Sequence, residues 1–110
     1  MSLSLYETLH GEQLKEIAFL AKSLSDVNRL RILLSLEKKE TSVSVLVEKL
    51  GLSQPLVSHH LRELRRTLLV SVRREGAFVY YSLADNSIVD AIDDLLQLAE
   101  SLLAQKNGFG

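Results

Sequence analysis

The densest run of hydrogen-bonding side chains in the chain is Ser53-Gln54-Pro55-Leu56-Val57-Ser58-His59-His60-Leu61-Arg62. Gln54, Ser58, His59 and Arg62 recur at three- and four-residue spacings, so on a helix they share a face opposite Val57, Leu61 and Leu64. An amide, a small hydroxyl, an imidazole and a guanidinium on one face match the edges of nucleic-acid bases. The Gln54 amide can bond an adenine edge bidentately, and Ser58 is small enough for close approach. His59 can donate to a base or a phosphate, and Arg62 can reach guanine or phosphate. Further on, Arg73 and Arg74 are expected on phosphates or in a minor groove, with Glu75 beside them as an unfavourable charge there. Arg65 and Arg66 are equally suited to phosphate and to salt bridges within the fold.

Other chemistries fit less well. Adjacent histidines on a helix point about 100° apart, so His59 and His60 do not jointly chelate a metal ion, and His10 is remote in sequence. Asp85, Asp90, Asp93 and Asp94 read as the wet side of a helix rather than a hard-cation site, with Asp85 or Asn86 as its cap. The chain has no cysteine. That removes disulfides, thiolate metal sites, thiol switches and cysteine nucleophiles. No Gly-rich phosphate loop or Ser/His/Asp set in a recognisable context is present, so neither enzyme chemistry nor a cofactor is expected.

The elements that would position these residues follow from periodicity. Leu14, Ile17, Ala18, Ala21 and Leu24 mark an amphipathic helix over residues 11–24. Ser25 is the expected cap of a second helix, with Asp26 in its first turn and Val27, Leu30, Leu33, Leu34 and Leu36 as its apolar face. A third, short helix runs from Ser42 or Val43 to Leu50, and Gly51 stands where a helix closes in a left-handed residue. Ser53 then caps a helix from Gln54 to about Thr67, with Pro55 in its first turn. Short helix, glycine turn and capped helix together make a helix-turn-helix over about residues 42–67.

From Val70 the period changes to β-branched and aromatic residues, in Val70–Arg74 and Phe78–Leu83, around a Glu75-Gly76-Ala77 turn. This hairpin, about residues 70–83, reads as a wing. Helical periodicity returns over about residues 85–105, with Lys106–Gly110 as a frayed tail. Ile88, Val89, Ile92, Leu95, Leu96, Leu98, Leu102 and Leu103 are too many for one apolar stripe. Such a helix needs a second partner, which is expected to be another copy of the chain, joined also through the 11–24 helix. The fold class is therefore mainly α with a small β-hairpin: a winged helix-turn-helix of about five helices and a two-stranded wing, dimeric through its terminal helices.

Length and charge agree. The chain of 110 residues, 46% hydrophobic and 25% charged, is expected to be one domain, 1–110. The net charge of -1 hides a partition. Residues 53–82 carry Arg62, Arg65, Arg66, Arg73 and Arg74 against Glu63 and Glu75, a net of +3, whereas residues 83–110 carry a net of -4. A cationic patch of this kind suits a phosphate backbone, although charge alone does not separate it from a solvated face. No apolar run reaches the ~18 residues of a membrane span, and Met1–Glu7 lacks the pattern of a secretory leader, so the expected location is the cytoplasm.

Three segments in order, Leu24-Ser25-Asp26-Val27-Asn28-Arg29-Leu30-Arg31-Ile32-Leu33, Ser53–Leu61 and Gly76-Ala77-Phe78-Val79-Tyr80-Tyr81-Ser82-Leu83, resemble the ArsR/SmtB family of winged-helix repressors. The resemblance covers about residues 12–105. It implies a homodimer joined by terminal helices that binds an inverted-repeat operator in a promoter and usually represses it. It also implies base contacts at Gln54, Pro55, Ser58 and His59. With the cap Ser53 and the cations Arg62, Arg73 and Arg74, these make up the expected double-stranded DNA-binding set. The departures concern sensing. Where many members carry cysteines in the short helix, this chain has Ser42, Ser44 and Val47. Against a zinc set across the last helices, Asp85 matches, but Ser87, about Leu98 and Ser101 do not. Metal-independent regulation by an unidentified effector is the expectation. A winged-helix module that binds protein alone is the alternative, and the arginines argue against it.

Overall fold

The computed structural model describes residues 3–109. Met1, Ser2 and Gly110, parts of the expected leaderless start and frayed tail, lie outside the described residues. A single turn, α1 (Leu5–Thr8), opens the fold and was not expected. Its cap is reciprocal, with Glu7 N–H donating to Ser4 Oγ and Ser4 N–H to Glu7 Oε2, each at 3.2 Å. α2 (Gly11–Ser23) begins at the Gly11 of the sequence reading.

α3 (Val27–Ser35) differs in two details. Its cap is Asp26, whose Oδ1 accepts from Arg29 N–H at 3.0 Å. Ser25 instead donates its hydroxyl to the Lys22 carbonyl of the preceding helix, at 2.6 Å. The buried face is Ile32, Leu33 and Leu36, while Val27 and Leu34 are exposed. With Asp26 still extended at the cap, the inward stripe centres on Ile32-Leu33, so of the expected apolar face Leu33 and Leu36 are buried, Leu30 is half-buried, and Val27 and Leu34 turn outward.

The next two helices meet expectation closely. Ser42 caps α4 (Val43–Leu50) by accepting from Val45 N–H at 3.3 Å, and Gly51 closes it at φ +66°. Ser53 caps α5 (Gln54–Arg66) by accepting from Leu56 N–H at 3.3 Å, with Pro55 in the first turn. Leu68 follows at φ +65°, where glycine is usual, and paired backbone bonds (Leu68 N–H to Arg65 O and Leu69 N–H to Leu64 O, both 3.0 Å) reverse the chain there.

The sheet has one more strand than expected. β1 (Thr41–Ser42) pairs with β3 (Phe78–Leu83), which pairs with β2 (Val70–Glu75), giving the antiparallel order β1-β3-β2. Two residues carry no readable alternation, so β1 was invisible in sequence. Gly76, at φ +58°, is the one residue of the Gly76-Ala77 loop with positive φ, as a type II′ hairpin turn requires.

The core is small and local. Ile32, Leu33 and Leu36 of α3, Leu46 and Leu50 of α4, Val57, Leu61 and Leu64 of α5, and Leu69 and Val70 close on one another. The last helix, α6 (Ser87–Phe109), lends only the half-buried Ile88 and Ile92 and runs past the expected end at residue 105. The Cα radius of gyration is 17.0 Å, against ~13 Å for a compact chain of this length. No helix among the described residues is long and apolar enough to cross a membrane.

Candidate nucleic-acid interface

α5 divides its side chains as its amphipathic pattern requires. Val57, Leu61 and Leu64 are fully buried, and Gln54, His59 and Arg62 are exposed, with Ser58 half-buried. Burial of the apolar stripe clamps the helix to α3 and α4 and leaves its polar face outward. The Gln54 side-chain NH₂ donates to Ser58 Oγ at 3.2 Å, so the amide is already ordered along the helix face. Ser53 is exposed, but its hydroxyl is spent on the cap. Pro55 lies beside it in the first turn, supplying rigidity and apolar surface rather than a donor.

The turn before α5 is tied to the body. Arg31 Nη2 donates to the Leu50 carbonyl at 2.8 Å, filling one of the acceptors that the end of α4 leaves open. Gly51 then makes the left-handed step at no Cβ cost.

The wing separates its two arginines. Strand alternation sends neighbours to opposite faces, with Arg74 opposite Val79 and Arg73 opposite Tyr80. Arg74 borders an open cleft of about 460 Å³ together with Ser42, Ser44, Gln54, Ser58 and Phe78. Arg73 lies on the other face. Its Nε and Nη2 donate to the Glu40 carboxylate (Nη2 to Oε1 at 2.6 Å), its Nη1 pairs with Glu75, and its guanidinium stacks 4.6 Å over the Tyr80 ring. The expected phosphate-facing pair is therefore one arginine toward the cleft and one bound to carboxylates. The same pairing turns Glu75, the awkward charge of the sequence reading, into a partner of Arg73. Arg73's hydrogen bond holds the Glu40 carboxyl below the usual carboxylate range, and Glu40 with Glu75 raises the already high Arg73 value. Among the described residues no salt bridge engages Arg62, Arg65 or Arg74, whereas Arg66 pairs with Glu63 at 3.6 Å.

His60 is the residue that sequence reasoning left unassigned. It is only 5% exposed, its Nε2 lies 3.8 Å from Asp26 Oδ1, and its Nδ1 has no hydrogen-bond partner. Its place, three residues after Val57 and next to Leu61 on the inward stripe, was the available signal. Burial pushes His60 below its ordinary value, opposed by the Asp26 carboxylate and reinforced by Arg29 and His59. The Arg29 N–H holds Asp26 low in turn. The His59 ring is exposed and 55° from that of His60, centroids 5.6 Å apart, so the two diverge. Among the described residues no group of three or more His, Cys, Asp or Glu is assembled to hold a metal ion.

Residues 26–72, from the α3 cap to the start of the wing, match the family described as "Bacterial regulatory protein, arsR family". A NolR crystal structure from Sinorhizobium fredii shares 35% identity at a TM-score of 0.73, over 89% of this chain and 95% of that one. The chain belongs to the ArsR family. Its class is that of a DNA-binding transcriptional regulator on a winged helix-turn-helix. A "Transcriptional repressor SmtB homolog" from Synechocystis is 39% identical over 76% of this ArsR-family chain, a match that takes in 64% of that protein's length. The solution structure of a homodimeric winged helix-turn-helix DNA-binding domain from Mycobacterium bovis, a possible ArsR-family regulator, has a TM-score of 0.73 at 26% identity. It covers 91% of this chain and 90% of that one.

Proposed function

We propose that residues 1–110 act as one DNA-binding unit that, as a homodimer, recognises an inverted-repeat operator in duplex DNA and represses transcription there. The observation that carries the reading is the shared exposure of Gln54, His59 and Arg62 on α5, with Arg74 across the cleft and no salt bridge to either arginine among the described residues. Gln54, Ser58 and His59 read base edges, Arg62 reads a base or a phosphate, and Arg74 follows the backbone from the wing. Ser53 and Pro55 present the helix start. Dimerisation uses α2 and α6, which face each other across an apolar groove of about 440 Å³ lined by Ile17, Leu20, Leu24, Leu95 and Leu98. The homodimeric Mycobacterium bovis domain supports that assembly. Two-fold symmetry then sets the half-sites one helical turn apart, about 34–36 Å, or a multiple of it.

Sensing in this reading is independent of metal, because Ser42, Ser44, Val47, Ser87, Leu98 and Ser101 offer no thiolate or imidazole. The protein works in the cytoplasm, without catalysis and without a cofactor. The test is fluorescence anisotropy with labelled DNA from upstream of its own gene, competed by scrambled duplex at ~0.15 M salt. A preference of ~10³-fold or more is expected, with Gln54→Ala and His59→Ala each losing ~1–3 kcal/mol of discrimination. Equal competition by scrambled duplex, or discrimination untouched by both substitutions, counts against it.

A further inference from the structure

The outer end of the wing has little to hold it in place. Every residue from Arg73 to Phe78 is exposed. The cover from β1 ends at the Ser42–Tyr80 pair, so only β2 and β3 continue to the tip. A bare two-stranded hairpin is marginal in water, and the buried apolar contact with α5 stops at Leu69 and Val70, at the base of the wing. One group spans the gap. From β2, the Arg73 guanidinium lies across the Tyr80 ring, reaches Glu40 just before β1 through two of its nitrogens, and holds Glu75 near the tip with the third. Glu40 lies thirty-three residues earlier in the chain, so the bond is tertiary.

We propose that Arg73 is a positioning residue: it braces the wing against Glu40 and so sets where Arg74 meets the duplex, making no phosphate contact of its own. This rests on the DNA-binding reading above. To reach a phosphate, Arg73 must surrender a two-nitrogen carboxylate contact, a second carboxylate and a ring face together, for a single new anion. Arg74 surrenders no ion pair. The two adjacent arginines thus divide the work, one held by two carboxylates and a ring face, the other without an ion pair among the described residues and free to follow the backbone.

The experiment compares Arg73→Gln, Glu40→Gln, their double variant and Arg74→Gln. Binding is read by anisotropy from about 0.05 to 0.2 M salt, on a duplex enriched from a random-sequence pool by the wild-type chain. Losing one phosphate contact lowers the slope of log K against log[salt] by about 0.9, so loss of one from each protomer of the dimer, about 1.8 in all, is expected of Arg74→Gln alone. Arg73→Gln and Glu40→Gln are expected to weaken binding by a similar few-fold, about three- to tenfold, at unchanged slope, and the double variant no further. Melting temperatures near wild type separate bracing from general loss of stability. The proposal is overturned if Arg73→Gln lowers the slope as Arg74→Gln does, if Glu40→Gln tightens binding by releasing a cation, or if neither changes affinity.

Amide exchange across residues 73–78 without DNA supplies a second arm. Protection should fall in Arg73→Gln and Glu40→Gln and hold in Arg74→Gln, and unchanged protection in the first two removes the brace. If the wild-type chain enriches no duplex, the DNA-binding reading fails, and this arm still decides whether Arg73 holds the hairpin.

Discussion

The middle of the chain and its ends solve the problem of apolar surface in opposite ways. From Ile32 to Val70, three short helices and the base of the wing bury ten apolar side chains against each other and leave charge outside. In α2 the only buried residue is Ser23, while Leu14, Ile17, Phe19 and Leu20 are each 43–53% exposed. In α6, Leu95, Leu96, Leu98, Leu102 and Leu103 are 50–57% exposed. Besides Leu24, which packs against the core from its end, α2 is tied to the body by polar bonds, Arg29 Nε donating to the Ser23 carbonyl at 2.7 Å and Nη2 to that of Lys22 at 3.0 Å. The helix-turn-helix therefore closes its own core, whereas the terminal helices leave their leucines half exposed, the surface that the proposed dimer would cover. The same residue type, leucine, closes the core in one region and stays half exposed in the other.

Substitutions in the two regions should then fail differently. Leu61→Ala empties a fully buried site of α5 and is expected to cost about 2–5 kcal/mol, read as a lower urea midpoint. A loss below 1 kcal/mol would mean that the middle core is not closed. Leu95→Glu with Leu98→Glu should leave the circular-dichroism spectrum helical but weaken self-association on the order of a hundredfold or more, about 2.7 kcal/mol. Sedimentation showing an unchanged dimer would move the interface elsewhere.

A pH experiment probes the join between α3 and α5. Burial holds folded His60 below its ordinary value of 6.5, so as pH falls the unfolded chain takes up the proton first and stability drops. The urea midpoint should be lower near pH 5.5 than near pH 7.5, and His60→Gln should flatten that difference. The depressed Asp26 carboxyl contributes in a separate window, its stabilisation being lost as pH falls below about 4. An identical pH response in wild type and variant would sink the assignment. The smallest effect is a gain. Leu68 holds φ +65° and is 80% exposed, so Leu68→Gly should relieve left-handed strain and raise stability by up to about 1 kcal/mol in thermal melts. A lower melting temperature would assign Leu68 a contact that offsets its strain.

Most of this division was legible before any coordinates. Gly51, Ser53 and Pro55 marked the turn because each does a local job that few other residues do. The overfull apolar pattern of α6 foretold leucines left half exposed by the single chain, because periodicity counts faces. What escaped was tertiary or too short to have a period. β1 is two residues long, and Asp26 displaced Ser25 as a cap because both are good caps and only the path of the chain chooses between them. The burial of His60 was missed because its polarity outweighed its position on the inward stripe. Arg73 and Arg74 were grouped by sequence adjacency, although adjacent residues of a strand point to opposite faces. The alternation rule was available, but the existence of Glu40 as an acceptor was not.

The partition of charge governs how the molecule meets a duplex in time as well as in place. Arg62 on α5 and Arg74 beside the cleft are exposed, and Asp90, Asp93 and Glu100 are exposed along α6. With a net charge of -1, there is no overall attraction to a polyanion, only a torque. On the proposed arginine contacts, a nearby duplex would turn the protein until its arginine side leads, with the acidic helix making other approaches unproductive. Encounters are thus oriented before contact. Added salt should then slow association more than it hastens departure, since the steering field is screened within about 10 Å at 0.1 M.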